Sequence, residues 1–202
     1  MKFVLFILII SNTFLFAQKN RTLEKDIDFD NILDTIYVDN ETSKIVCLLS
    51  SNKFSKIESK RIGLNTMSGI GDDGRDGFVF SNHYMRAGYS NKFKYDKKIK
   101  KIRLIGIDFY EFGDTNSNDP FGKTSINLLT GDLIGNWNYY EEKEDKFIKI
   151  PTVKTKMLLR KQYLNEFNED NYFDFCDKLY KFSCEIRDKI LEKKRKTTAN
   201  SG

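Results

Sequence analysis

Four aspartates recur at positions one, three, five and nine of the stretch Asp26-Ile27-Asp28-Phe29-Asp30-Asn31-Ile32-Leu33-Asp34. That spacing suits a hard, oxygen-seeking cation. Alternate side chains of such a loop point inward, the sixth residue turns the backbone sharply, and the seventh offers its carbonyl oxygen, so that Ca²⁺ can collect six or more oxygens. The oxygens here would come from Asp26, Asp28, Asp30 and Asp34, with the Ile32 carbonyl as the main-chain ligand. A solvated acidic turn ahead of a strand has the same composition, so the stretch points to an ion before it points to an activity.

The element Asp26-x-Asp28-x-Asp30-Asn31-x-x-Asp34, followed by Thr35-Ile36-Tyr37-Val38, resembles the calcium loop of FG-GAP and VCBS repeats. The resemblance covers about a dozen residues and implies Ca²⁺ as the bound cofactor. Phe29 and Asn31 stand where that family usually has glycines; Asn is the residue that best replaces Gly at a left-handed position. The closing Glu of an EF-hand is absent, with Tyr37 at position twelve. Farther along, Phe93-Lys94-Tyr95 through Arg103-Leu104-Ile105-Gly106, and Tyr110-Glu111-Phe112-Gly113 through Asn136-Trp137-Asn138-Tyr139-Tyr140, resemble exported proteins of Bacteroidetes-type bacteria. That likeness implies export and supplies no activity.

Other residues offer weaker chemistry. His83 is the single histidine, and neither a Gly-x-Ser-x-Gly elbow nor a His-Glu-x-x-His pair accompanies it, so general-base work would need an orienting carboxylate within hydrogen-bond reach. Gly69-Ile70-Gly71-Asp72-Asp73-Gly74-Arg75-Asp76-Gly77 reads as a mobile acidic loop, because four glycines among nine residues make order entropically costly. Asp114 to Asp119 offers oxygens at alternate positions, as a second cation loop or as a polar turn. Carboxylates such as Asp108, Glu111 and Asp114 are available for glycoside hydrolysis, but their separation decides that mechanism and a sequence contains no separations.

The elements that must position these groups change character along the chain. From Thr35 to about Thr155 short apolar or alternating runs alternate with Gly, Asn, Asp and Ser, which predicts strands and turns. Lys94 to Ile102 reads as a hairpin whose exposed face is coated with lysines, a guard against edge-to-edge pairing. Leu129-Thr130-Gly131-Asp132 predicts a tight turn with Gly131 left-handed. After Pro151 the period becomes helical: Tyr172, Phe175, Cys176, Leu179, Phe182, Ser183, Ile186 and Ile190 recur at spacings of three and four. The expected fold class is α+β, a twisted antiparallel β-sheet of hairpins with a C-terminal helix packed on it, and a single domain over 18–202. Its β-rich part runs over 26–155, its helical part over 156–196, and a basic disordered tail over 197–202.

Met1-Lys2, the apolar run Phe3 to Ile10 and the following Ser11 to Ala17 read as a signal peptide over 1–17, which implies a secreted or periplasmic protein. Cleavage after Ala17 leaves about 185 residues, enough for one core but too few for a propeller of seven four-stranded blades. It also leaves 33 basic against 29 acidic residues, a mild excess gathered in the tail Arg187 to Lys196, where it complements a helix dipole. No interleaved basic and aromatic pattern accompanies it, so nucleic acid is not an expected partner. No later apolar stretch is long enough to span a bilayer. Cys47, Cys176 and Cys184 permit at most one bridge, and free thiols are the expectation, since Cys176 and Cys184 lie about 12 Å apart along one helix.

Two function classes follow. The first is an exported monomeric binding or surface-interaction domain, stiffened by Ca²⁺, whose aromatic-rich segment with Trp137, Tyr139 and Tyr140 meets a protein or a glycan. The second is a small exported hydrolase that uses carboxylates.

Overall fold

The protein is described from a computed structural model, covering residues 21–115 and 117–199. The expected leader and its cleavage site after Ala17 lie outside the described residues, as do residues 200–202 of the expected tail.

Antiparallel strands dominate, with one C-terminal helix. β1 (Thr22–Lys25), β2 (Asp34–Asp39), β3 (Lys44–Leu48) and β4 (Lys56–Glu58) form a four-stranded sheet in chain order. β2 alternates strictly, with Asp34, Ile36 and Val38 buried and the residues between them half-buried. β3 buries Ile45, Val46 and Cys47 in succession, so both of its faces are covered. β5 (Gly69–Asp72), β6 (Gly77–His83), β7 (Ala87–Asp96), β8 (Lys101–Glu111), β9 (Phe121–Asn127), β10 (Asp132–Glu141) and β11 (Lys146–Lys149) form a second sheet. Its order is β11-β10-β9-β8-β7-β6-β5, and β12 (Val153–Lys156) also pairs with β10.

The chain, read above as one domain over 18–202, divides into two compact units. The first comprises residues up to His83, Ser90–Ile105 and Lys161–Phe167. Its aromatic centre stacks Phe78 on Phe93 at 5.1 Å between ring centroids, with Phe167 edge-on to Phe93 at 5.3 Å. Phe167 is held there by its carbonyl, which accepts the Lys60 amide. The second unit comprises Tyr84–Tyr89, Gly106–Arg160 and the segment from Asn168 onward. In it the helix α1 (Glu169–Ala199) turns the expected stripe inward: Phe175, Leu179 and Ser183 are buried, while Tyr172, Cys176, Phe182, Ile186 and Ile190 are half-buried. Tyr172 packs on Tyr89 at 4.0 Å and Phe182 lies edge-on to Trp137 at 6.1 Å.

Several expectations change. The helical part expected from 156 begins only at Glu169, because residues 157–168 form a connector whose Tyr163 bridges to Arg103 and whose Leu164–Glu166 make a single 3₁₀ turn. The helix continues through 197–199, where a disordered tail was expected. The glycine-rich segment is not a mobile loop: Gly69–Asp72 is paired to β6, and a side chain at Gly77 would run into the Phe93 carbonyl. The lysine-rich hairpin of β7 and β8 is not an edge, since β6 and β9 flank it. Gly131 takes the expected left-handed conformation, φ 77°. All three thiols are free, and burial pushes that of Cys176 up to about 11.

Candidate metal centre

The acidic stretch is the connection between β1 and β2, and the register that pairs Lys25 with Asp34 sets its two ends opposite each other. Asp34 is the first inward-facing residue of β2 and is fully buried. Its carboxylate accepts the Ile27 amide at 2.9 Å through Oδ2 and the Ser50 amide at 2.8 Å through Oδ1. The same side chain therefore ties the start of the loop to the segment that follows β3. Asp26 curls the loop from within: Oδ1 accepts the amides of Phe29 and Asp30, and Oδ2 accepts that of Asn31. The curl needs left-handed backbone at Phe29 (φ 66°) and Asn31 (φ 68°), the two positions at which the resembled family has glycine.

Asp28 is 6 % exposed, and its Oδ2 accepts the Ser51 hydroxyl. Its Oδ1 is buried without a hydrogen-bond partner. One carboxylate oxygen from each of Asp26, Asp28 and Asp34 lies within 4.8 Å of the others. Among the described residues no Lys or Arg forms an ion pair with any of them. Three like charges at that separation repel by on the order of a few kcal/mol per pair, unless an ion lies among them. Each carboxylate retains acceptor capacity beyond the amides and hydroxyls it serves, and oxygen donors are what hard cations such as Ca²⁺ take.

Asp30 is set apart from this group. Its Oδ1 accepts the Ile32 amide and its Oδ2 the Ser50 hydroxyl at 2.6 Å. The spacing rule groups Asp30 with the other three, but its side chain is exposed and engaged by Ser50. Ile32 follows with its side chain exposed. Ser50 and Ser51 had no sequence signal, since they lie 16 to 23 residues from the aspartates they touch and only the β2–β3 register brings them close.

Two other acidic segments have resident cations. The Lys25 ammonium contacts Asp72 at 2.5 Å, Asp73 at 3.1 Å and the Gly77 carbonyl at 2.9 Å, while Lys94 pairs with Asp76. Burial acts most strongly on Asp73 and pushes its carboxyl up. The amides of Arg75 and Gly77 and the Lys25 ammonium more than offset this, so the net direction is down. For Lys25, burial is again the largest influence and pulls down, yet the two aspartates carry the amine above its usual value. In the 114–119 segment, Asp119 accepts the Tyr180 hydroxyl and lies 3.4 Å from the Arg187 guanidinium. The bond from Ser117, then those from Tyr180 and Arg187, hold its carboxyl below the usual range.

The expected aromatic contact segment is corrected: Trp137 and Tyr139 are buried, and Trp137 donates its Nε1–H to Thr124 at 2.9 Å. Of the three only Tyr140 reaches the surface, where its hydroxyl bonds Asp145. His83 ends β6, with its carbonyl accepting the Asn65 side-chain amide. No known protein family, curated protein or solved structure matches the chain.

Proposed function

We propose that this is an exported, non-enzymatic binding or surface-interaction protein, secreted or periplasmic, whose β1–β2 loop is set by a bound Ca²⁺. One observation carries the reading: Asp28 Oδ1 is buried and unpartnered beside the carboxylates of Asp26 and Asp34. An unpaired buried carboxylate oxygen costs a few kcal/mol, and a divalent cation among the three removes both that cost and the mutual repulsion. Asp26, Asp28 and Asp34 would hold the ion; the Ile32 carbonyl and water would complete it, and Asp30 would join only by releasing Ser50. The site suits affinities on the order of 10⁻⁴ to 10⁻³ M, the range of extracellular modules.

Thermal melts of metal-stripped protein provide the test. At about 10 mM Ca²⁺ such affinities stabilise the fold by roughly 1.4–2.7 kcal/mol, and Asp28→Asn should abolish the gain. Identical melts with Ca²⁺ and with chelator would remove the site and, with it, the reason for the loop.

A specific pair favours the hydrolase reading as the alternative. Burial, and then the charge of Asp119, push the Glu111 carboxyl up, whereas Asp119 is held down. Carboxyls driven apart in this way suit an acid and a base. Hydrolysis of a glycan or peptide library by the purified protein that vanishes in Glu111→Gln would establish it; turnover unaffected by Glu111→Gln would dismiss the pair.

A further inference from the structure

We infer that the loop end of the first unit docks on a bilayer surface bearing anionic lipid. Three connections meet there. Ser50 and Ser51 bond Asp30 and Asp28, which joins the β3–β4 connection to the β1–β2 loop. The Lys97 ammonium sits 4.4 Å over the Phe29 ring, which adds the β7–β8 turn. Phe29, Ile32, Leu33 and Phe54 leave 40 % to 61 % of their surface in water, and Ile99 is exposed in the turn itself. Scattered single apolar residues on a surface need no explanation, but a group on adjoining loops marks an interaction site.

Two details sharpen the occupant. Phe29 and Phe54 both hold left-handed backbone, φ 66° and 55°, where bulky side chains are rare. Their rings are thereby directed to solvent instead of core. Lys97, Lys98 and Lys100 lie exposed in the β7–β8 turn, and Lys53 is beside Phe54 in sequence. These lysines do not guard a sheet edge, because β7 and β8 are interior strands. Apolar side chains interleaved with lysines fit an interface where hydrocarbon lies beneath anionic headgroups. An acidic protein partner would use the lysines but would not require exposed Phe, Ile and Leu at three loop tips.

The calcium dependence of this docking rests on the metal site proposed above. The three connections, residues 26–33, 49–55 and 97–100, hold Lys53, Lys97, Lys98 and Lys100 against Asp26, Asp28 and Asp30, a formal charge of +1 without an ion and +3 with Ca²⁺. Binding the ion would turn a weakly cationic apolar tip into a strongly cationic one.

Sedimentation with vesicles tests this, using the chain from Gln18, which retains every described element. The vesicles are phosphatidylcholine alone, or roughly three parts to one of phosphatidylglycerol, a composition with an anionic surface potential. The expected result is retention on the anionic vesicles only, about tenfold or more stronger with Ca²⁺ than with chelator. Leu33→Ser, Phe54→Ser and Ile99→Ser together should abolish retention, with the melting curve and the heat of Ca²⁺ binding unchanged. Should that variant not fold, Lys97→Gln with Lys98→Gln carries the test and should weaken retention severalfold and flatten its salt dependence. Leu158→Ser, at a still more exposed apolar position of the second unit, should bind like the parent. Equal retention on neutral vesicles, no retention, or retention indifferent to both variants overturns the inference. Retention that persists in chelator through these residues, without any heat of Ca²⁺ binding, keeps the surface and removes the ion; a Ca²⁺ heat without retention does the reverse.

Discussion

The β1–β2 loop and the β5–β6 turn are both dense in aspartate, yet they solve their charge in opposite ways. Lys25 immediately precedes the β1–β2 loop, but its ammonium serves Asp72 and Asp73 of the other. The β5–β6 turn is thus complete as folded. The β1–β2 loop retains three clustered carboxylates and an orphaned Asp28 oxygen, with no basic side chain among the described residues in ion-pair contact. Acidic composition alone therefore does not distinguish a metal site from a turn. What distinguishes them is whether the fold delivers a cation of its own.

The β1–β2 loop is most vulnerable at Asp34. Asp34→Ala strands the buried amides of Ile27 and Ser50, and should cost roughly 2–5 kcal/mol whether or not Ca²⁺ is present, seen as a large drop in Tm. Its structural role would then precede any ligation of the proposed ion. If Tm falls only in the presence of Ca²⁺, that order is wrong.

Lys25→Met attacks the other loop and should lower stability by about 1–3 kcal/mol, because it leaves the nearly buried Asp73 without its ion pair. The response to Ca²⁺ should not change. The pH dependence follows from the signs. Asp73 lies below its unfolded value near 3.8, so its contribution is present above that pH and is lost as pH falls through the lower folded value. Lys25 lies above its unfolded value of 10.5, so its contribution is present below that pH and is lost as pH rises through the higher folded value. The stability difference between parent and Lys25→Met should accordingly be flat between about pH 5 and 9 and should shrink below about pH 4. A difference that grows in acid would contradict the assignment.

Asp28→Asn is the subtler variant, with a change of sign. Removing one of three clustered charges should leave the metal-free protein as stable as the parent or up to about 1 kcal/mol more so. Differential scanning calorimetry in chelator measures this. Asp30→Ala should have the smallest effect, a few tenths of a kcal/mol in Tm experiments and a severalfold change in Ca²⁺ affinity at most, since Asp30 is exposed and bonded to Ser50.

Much of the scaffold was legible because it is periodic. The α1 stripe from Tyr172 to Ile190 follows from spacings of three and four, and the alternation of β2 from a period of two. The short strands β4, β5, β11 and β12 were not, because three or four residues contain little periodicity and pairing with a neighbour defines them. Trp137 and Tyr139 read as surface aromatics but point into the second unit, which only the register of β10 decides. In the site, the left-handed need at Phe29 and Asn31 was visible as the places where glycine is usual. The bond of Asp30 to Ser50 was not, nor was the use of Lys25 by a loop 47 and 48 residues away, since both depend on which strands pair.

Calorimetric titration of metal-stripped protein with Ca²⁺, run in parallel on Asp28→Asn and Lys25→Met, decides between the two acidic loops. The expected result is one site of about 10⁻⁴ to 10⁻³ M affinity in the parent, the same site in Lys25→Met, and no heat in Asp28→Asn. Binding that survives in Asp28→Asn but disappears in Lys25→Met would place the ion at the other loop and contradict it.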